Sequence, residues 1–300
     1  MRTLLALMLA LAAGAVSAQQ VPDRGYQPAI AKPRYAQGKG PVVCVDEAHH
    51  NFHKLGERFF AFGELLRRDG YQLRASTEKF DAAALSKCGV LVISNAQPSS
   101  ADWNDYPYPT PSAFTPAEIG AVRDWVRGGG SLLLIADHMP LAGAAASLAA
   151  AFEVEFVDGF AQRDPESDEH DLFTREANTL RDHAITRAGG GLTSVRTFTG
   201  QAFRAPKAEP LLVFPEGYVQ LLPLKAWDFQ PDTRREPVTG RLQGAVQEVG
   251  KGRAAFFGEA AMFSAQLAGP EKIPMGMNSP GAEQNHRLVL NLLHWLTRSL

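Results

Sequence analysis

The run Asp46-Glu47-Ala48-His49-His50-Asn51-Phe52-His53 gathers two carboxylates and three of the chain's eight histidines within eight residues. Carboxylates and imidazoles bind metal ions and move protons near neutral pH. His49 and His53 are four apart, and His50 and His53 three apart, spacings that share one face of a helix. The string fits H-x-x-x-H but lacks the glutamate of H-E-x-x-H, which argues against zincin-type proteolysis. Asp137-His138 is a second candidate, a carboxylate beside an imidazole that could serve as an acid/base pair. Adjacent residues of an extended chain point to opposite sides, so both reach one ligand only if the chain turns, as Met139-Pro140 allows. Glu259 is the third, the sole charge in the small and apolar string Gly258-Glu259-Ala260-Ala261-Met262-Phe263.

These residues define the expected site. Asp137 and Glu259 are the candidate catalytic groups. The ligand-binding set is Asp46, Glu47, His49, His50, His53, Asp137, His138, Glu259 and His286, the last in the first turn of a C-terminal helix. Asp46, His49, His53 and His138 are the candidate metal ligands, and a divalent ion such as zinc is the cofactor such donors suit. Capping competes for several of them. Asp46 or Asn51 could satisfy free N–H groups at a helix start, and Asp137 could cap the helix that follows it. His183 falls in a loop, His170 in a charged loop, and His294 on an amphipathic helix.

The elements that would carry these groups alternate. Strand-like Pro41–Val45 precedes a helical stripe (Leu55, Phe59, Phe62, Leu65, Leu66) that ends at Asp69-Gly70. Strands follow at Tyr71–Ala75 and Val90–Ile93, then a loop over 96–113 with four prolines, Trp103, Tyr106 and Tyr108. Thr115-Pro116-Ala117-Glu118 opens a helix with a cap, a first-position proline and a third-position glutamate. Ser131–Ala136 is a continuous apolar run of the kind found in buried parallel strands, and Gly143–Phe152 is an alanine-rich helix. Further strands are expected at Val154–Val157, Ser194–Phe198, Leu211–Phe214, and Gln243–Val249 turning through Gly250-Lys251-Gly252 into Arg253–Phe257. A last helix runs from about Ser279-Pro280 to Leu300. The expected fold is an α/β, mostly parallel sheet with helices on both faces and a late antiparallel hairpin. In such sheets ligands bind beyond the carboxyl ends of the strands, where Asp46–His53, Asp137-His138 and Gly258-Glu259 would converge.

Arg2, the apolar run Leu4–Val16 and Val16-Ser17-Ala18 read as a cleavable signal peptide over 1–18, which implies a periplasmic or secreted protein. Residues 19–40, rich in Pro, Gly and Gln, read as an extended arm, and 41–300 as one α/β domain. A formal charge of −2 with no basic stripe argues against nucleic acid. Nothing after the leader is apolar enough to span a membrane. Cys44 and Cys88 could bridge if their strands are neighbours in a favourable register, and two buried thiols fit the sequence equally well. No G-x-S-x-G elbow, Walker A loop or G-x-G-x-x-G is present.

The strings Asp46–His53, Leu134-Ile135-Ala136-Asp137-His138-Met139-Pro140 and Gly258–Phe263 together resemble an uncharacterised bacterial family. Its members are domains of unknown function with a class I glutamine amidotransferase-like fold, and the likeness runs from about Pro41 to Leu300. The resemblance implies a flavodoxin-like sheet, a fold shared with trehalose-utilisation-type proteins and a non-catalytic domain of intraflagellar transport proteins. True amidotransferases carry a nucleophilic Cys in an elbow after a central strand, where this chain has Ala136-Asp137-His138-Met139. Thiolate attack therefore lacks its nucleophile. The expected function is an exported domain that binds a small polar ligand, for example a carbohydrate, with loop 103–108 as a stacking surface. Two alternatives stand beside it, a metal-dependent hydrolase built on the His/Asp cluster and a non-catalytic envelope assembly protein.

Overall fold

A computed structural model describes residues 20–165 and 171–300. The expected signal peptide and His170 lie outside the described residues. In chain order the strands are β1 (Gln20–Pro22), β2 (Val42–Asp46), β3 (Gln72–Ser76), β4 (Val90–Ser94), β5 (Ser131–Ile135), β6 (Phe160–Arg163), β7 (Leu172–Thr174), β8 (Ser194–Arg196), β9 (Glu209–Val213), β10 (Tyr218–Leu222), β11 (Arg234–Pro237), β12 (Leu242–Val249), β13 (Gly252–Phe257), β14 (Ala265–Ala268) and β15 (Ile273–Gly276). The helices are α1 (Phe60–Arg68), α2 (Ala82–Leu85), α3 (Pro116–Arg127), α4 (Leu141–Ala150), α5 (Ala184–Arg187) and α6 (Asn285–Leu296).

Seven strands form the main sheet in the order β3-β2-β4-β5-β13-β12-β9. β3, β2, β4, β5 and β13 run parallel, whereas β12 and β9 pair antiparallel. The carboxyl ends of β2, β4, β5 and β13 therefore open on one edge, side by side. β2, β4, β5 and β13 bury both faces, as their near-continuous Val, Leu, Ile, Ala and Phe content demands. Val45, Val92, Leu133 and Phe257 pack one face against Phe62 and Leu65 of α1 and Leu288 and Leu292 of α6. Cys44, Leu91, Leu134 and Phe256 pack the other against Val122 and Val126 of α3 and Leu148 of α4. Each such fully buried side chain contributes roughly 1.5–3 kcal/mol.

The mostly parallel sheet expected from the alternation, and the flavodoxin-like sheet implied by the resemblance, are overturned. The central sheet is mixed, and three further sheets are wholly antiparallel: β1-β14-β15, β11-β10-β6 and β7-β8. The physical reason lies in their length and partnering. These strands span three to five residues and pair across long stretches of sequence, Gln20 opposite Ala268 and Phe160 opposite Leu221. Such short segments leave no period-2 run to read. Val154–Val157 shows the converse, since the expected strand is a single bridge between Glu155 and Arg204. The arm begins as β1, bonded to β14.

Cys44 in β2 and Cys88 ahead of β4 are joined by a disulfide, with Cα atoms 5.6 Å apart. No helix among the described residues is long and apolar enough to cross a membrane.

Candidate functional site

Strand exits meet in a cavity of about 180 Å³. His53 from the segment after β2, Asn95 after β4, Asp137 and His138 after β5, and Glu259 after β13 all line it. Gln20 of β1, Gln266 of β14 and Met275 of β15 close one side, and Phe52, Trp103, Phe198 and Trp227 supply aromatic wall. The larger concavity, about 1020 Å³ and lined by residues such as Ala150, Val154, Phe203 and Pro206, holds none of the candidate groups. Its four charged lining residues are held in ion pairs, Arg204 with Glu155, Glu153 with Lys207 and Arg241 with Glu236. Chemistry therefore points to the smaller cavity.

Asn95 ties the exits together. It sits just past β4 in the left-handed region, φ 48°, which asparagine tolerates better than most residues. Its N–H donates to the Ile135 carbonyl (3.0 Å), its carbonyl accepts from Phe52 N (2.9 Å), and its Oδ1 accepts from Asp137 N (2.9 Å). Glycines let the β13 exit approach. A Cβ on Gly200 (φ 135°) would lie 2.1 Å from the Gly258 carbonyl, and one on Gly258 would lie 2.5 Å from the Gln201 carbonyl. The bond from Gln201 N to Gly258 O, 2.8 Å, needs that closeness.

The cluster after β2 divides in two. Asp46, His49 and Asn51 form a buried structural knot behind the cavity. His49 Nδ1 lies 2.9 Å from Asp46 Oδ2, and Asn51 Nδ2 donates to the same oxygen at 3.0 Å. His49 Nε2 lies 2.9 Å from Glu118 Oε1 on α3. Glu118 closes the capping box with Thr115, and Thr115 Oγ1 donates to its Oε2 at 2.7 Å. Burial pulls the His49 pKa down, but hydrogen bonding and the charges of Asp46 and Glu118 outweigh it and raise the net value. Burial alone would raise Glu118; His49 and Thr115 reverse that and hold it at about 2. The knot thus clamps the His49 imidazole between two carboxyl groups.

His53, four residues on, has the opposite character. It is 2% exposed, its ring 4.5 Å from Phe59 and 5.3 Å from Phe52. Burial first, and the Arg58 charge second, lower its pKa to about 3. Nδ1 pairs with Ser94 Oγ at 3.1 Å. Nε2 is buried and has no partner among the described residues. His138 Nδ1 donates to the Met139 carbonyl at 2.7 Å, so its neutral form carries the lone pair on Nε2. Its ring stacks on Phe160 (4.6 Å) and meets Trp227 edge-on (4.7 Å). The backbone turns here, with Asp137 Oδ1 accepting from His138 N at 2.9 Å, and both neighbours reach the cavity.

Glu259 is 1% exposed. Its two oxygens accept from Ala261 N (2.6 Å) and Met262 N (2.8 Å). Burial, then the charge of Asp137, push its pKa well above the glutamate range against those two bonds. The cavity thus holds the His53 imidazole, kept neutral by burial, and the Glu259 carboxyl beside Asp137, and among the described residues neither Lys nor Arg lines it.

The remaining expected residues lie elsewhere. Glu47 Oε1 accepts from Leu55 N (2.9 Å) and orders the turn before α1. His50, φ 47°, lines a shallower neighbouring hollow with Lys54 and Asp102. His286 lies in surface hollows with Asn278 and with Arg287. His183 caps α5, accepting from Ile185 N at 3.1 Å, and His294 Nε2 lies 2.6 Å from Asp69 Oδ2. The metal set Asp46, His49, His53 and His138 does not assemble. Both His49 nitrogens are engaged in the knot, and the described residues contain no group of three His, Cys, Asp or Glu placed to hold an ion. The donor set does not fit a metal.

Sequence reasoning missed Glu118 as the partner of His49, and Gln20, Gln266, Phe198 and Trp227 as lining residues. The Thr115–Glu118 spacing was visible as a cap, not as a site support. The others come from antiparallel strands and loops with no local signal.

No family model and no curated protein matches the chain. Among solved structures, the N-terminal domain of mmIFT52 aligns with a TM-score of 0.60 at 13% identity, over 85% of this chain and 97% of that one. The cytoplasmic protein STM3548 from Salmonella typhimurium aligns at TM-score 0.47 and 15% identity, over 85% and 98%. A ThuA-like protein from Bacteroides uniformis aligns at TM-score 0.45 and 13% identity, over 90% and 94%. At 13% identity the mmIFT52 domain is similar to this chain in fold, and the likeness extends no further.

Proposed function

We propose that the protein binds a small, non-anionic polar molecule in the cavity at the carboxyl ends of β2, β4, β5 and β13. The observation that carries this reading is a pair of buried polar atoms without a partner among the described residues, His53 Nε2 and Gln266 Oε1, on two side chains that line the cavity. An unpaired buried polar group costs about 1–3 kcal/mol, and a ligand able to hydrogen-bond to both removes that cost. The size supports a small molecule, since about 180 Å³ falls below the roughly 300–1,000 Å³ of drug-sized sites. The side chains support the exclusion of anions, since two carboxyl groups line the cavity and no Lys or Arg among the described residues does. Export to a periplasmic or extracellular compartment is part of the proposal, supported by the leader-like residues 1–18 and by the Cys44–Cys88 disulfide.

Thermal-shift and calorimetric titration against monosaccharides, polyols, small amines, carboxylates and phosphates tests the reading. A neutral or cationic probe should bind, anionic probes should not, and Trp103→Ala should remove the binding. No binding by any probe, or anion binding indifferent to Trp103→Ala, would sink it.

A further inference from the structure

We propose that the ligand is a small organic ammonium ion held in an aromatic and acidic cage formed by Trp103, Trp227, Phe52, Asp137 and Glu259. This narrows the binding reading above and rests on it. Three rings line one cavity, and Trp103 meets Phe52 edge-on at 4.8 Å while Trp227 contacts Phe160 at 4.7 Å. Aromatic faces attract desolvated ammonium groups by about 2 kcal/mol or more. A cation bound beside Asp137 and Glu259 favours their ionised forms, which then carry charge of the complementary sign. Arg58 lies over the Phe52 ring, 3.8 Å from its centroid, and does not line the cavity.

The hydrogen-bonding inventory agrees. Gln266 Nε2 is used by Ser264 Oγ (2.8 Å), which leaves Oε1 as an unpartnered acceptor on a side chain 1% exposed. His138 offers a lone pair at Nε2 in its neutral form, because Nδ1 is committed to the Met139 carbonyl. The lining is thus rich in acceptors, and a ligand that carries positive charge together with a hydroxyl donor suits it. An uncharged sugar would satisfy the acceptors but leave two carboxyl groups beside each other without a counter-charge.

Calorimetric titration of the purified full chain with choline, against 3,3-dimethylbutan-1-ol as its uncharged isostere and glucose as a neutral polyol, decides the matter. Choline should bind about tenfold or more tightly than the isostere. Glu259→Gln and Trp227→Leu should each weaken choline about tenfold. Trp227 is half-exposed, so its replacement keeps the test alive if Glu259→Gln fails to fold. Equal affinity for choline and its isostere overturns the inference. Glucose binding that depends on Trp103, with no choline binding, overturns it and leaves the broader reading standing. If no probe binds, both fall.

Discussion

His49 and His53 are one turn apart in sequence spacing and opposite in chemistry. His49 sits between Asp46 and Glu118, and their bonds and charges outweigh burial and raise its pKa. His53 has a serine and aromatic rings for company, and burial lowers it to about 3. The histidine spacing was plain in the chain, but the partners that separate these two come from β2, β4, the turn before α1, and α3. Replacing His49 by Leu leaves two buried carboxylates facing each other and should cost about 3–5 kcal/mol in urea unfolding. A folded-state pKa raised above 6.5 stabilises the protein fully below 6.5 and less as pH rises through the folded value. The gap between wild type and His49→Leu should therefore narrow at alkaline pH. The sign is reversed for His53. Its neutral form is favoured in the fold, so its contribution is full above 6.5 and is lost as pH falls towards 3. Its imidazole resonances should stay constant between about pH 4.5 and 8 in an NMR titration. A midpoint inside that range would show that His53 is not sealed.

At the scale of elements, α3 does two jobs. Its Thr115–Glu118 box caps the helix and also delivers the carboxylate that holds His49. Thr115→Ala should cost about 1 kcal/mol by the usual loss of an N-cap. A larger loss would show that the box also holds the knot in place. The disulfide closes a separation of 44 residues across β2 and β4, which in the loop-entropy account is about 4 kcal/mol. Cys44→Ala with Cys88→Ala should lower the melting temperature by about 2–4 °C per kcal/mol lost, read by calorimetry. Strands that bury both faces were readable to within a residue or so. Ser131–Ile135 is a continuous apolar stretch and needs no partner to be recognised. β14, Ala-Gln-Leu-Ala, has no such mark, because its pairing with β1 and β15 makes it a strand.

For the molecule as a whole, the site depends on segments from both ends of the chain. Gln20 and Gln266, on paired strands β1 and β14, line the cavity with His53 and Glu259. A chain starting after Pro22 should lose hydrogen-exchange protection at β14 while Leu133 and Leu134 of β5 stay protected. Retained protection at Gln266 and Ala268 would mean that β1 does not hold that wall.

The residues told in advance which groups could do chemistry, and that Asp46–His53, Asp137-His138 and Glu259 would stand at strand ends, because burial on both faces leaves its mark as an unbroken apolar run. The β12–β13 hairpin was marked by its Gly250-Lys251-Gly252 turn, but pairing between distant strands leaves no local mark, so the three small antiparallel sheets and the glutamines of the cavity wall emerged only with the assembled chain. The same holds for charge. Asp46 and Phe59 are close in sequence to the imidazoles they touch, but Glu118 and Ser94, which complete the clamp and the sealed site, fold in from far along the chain.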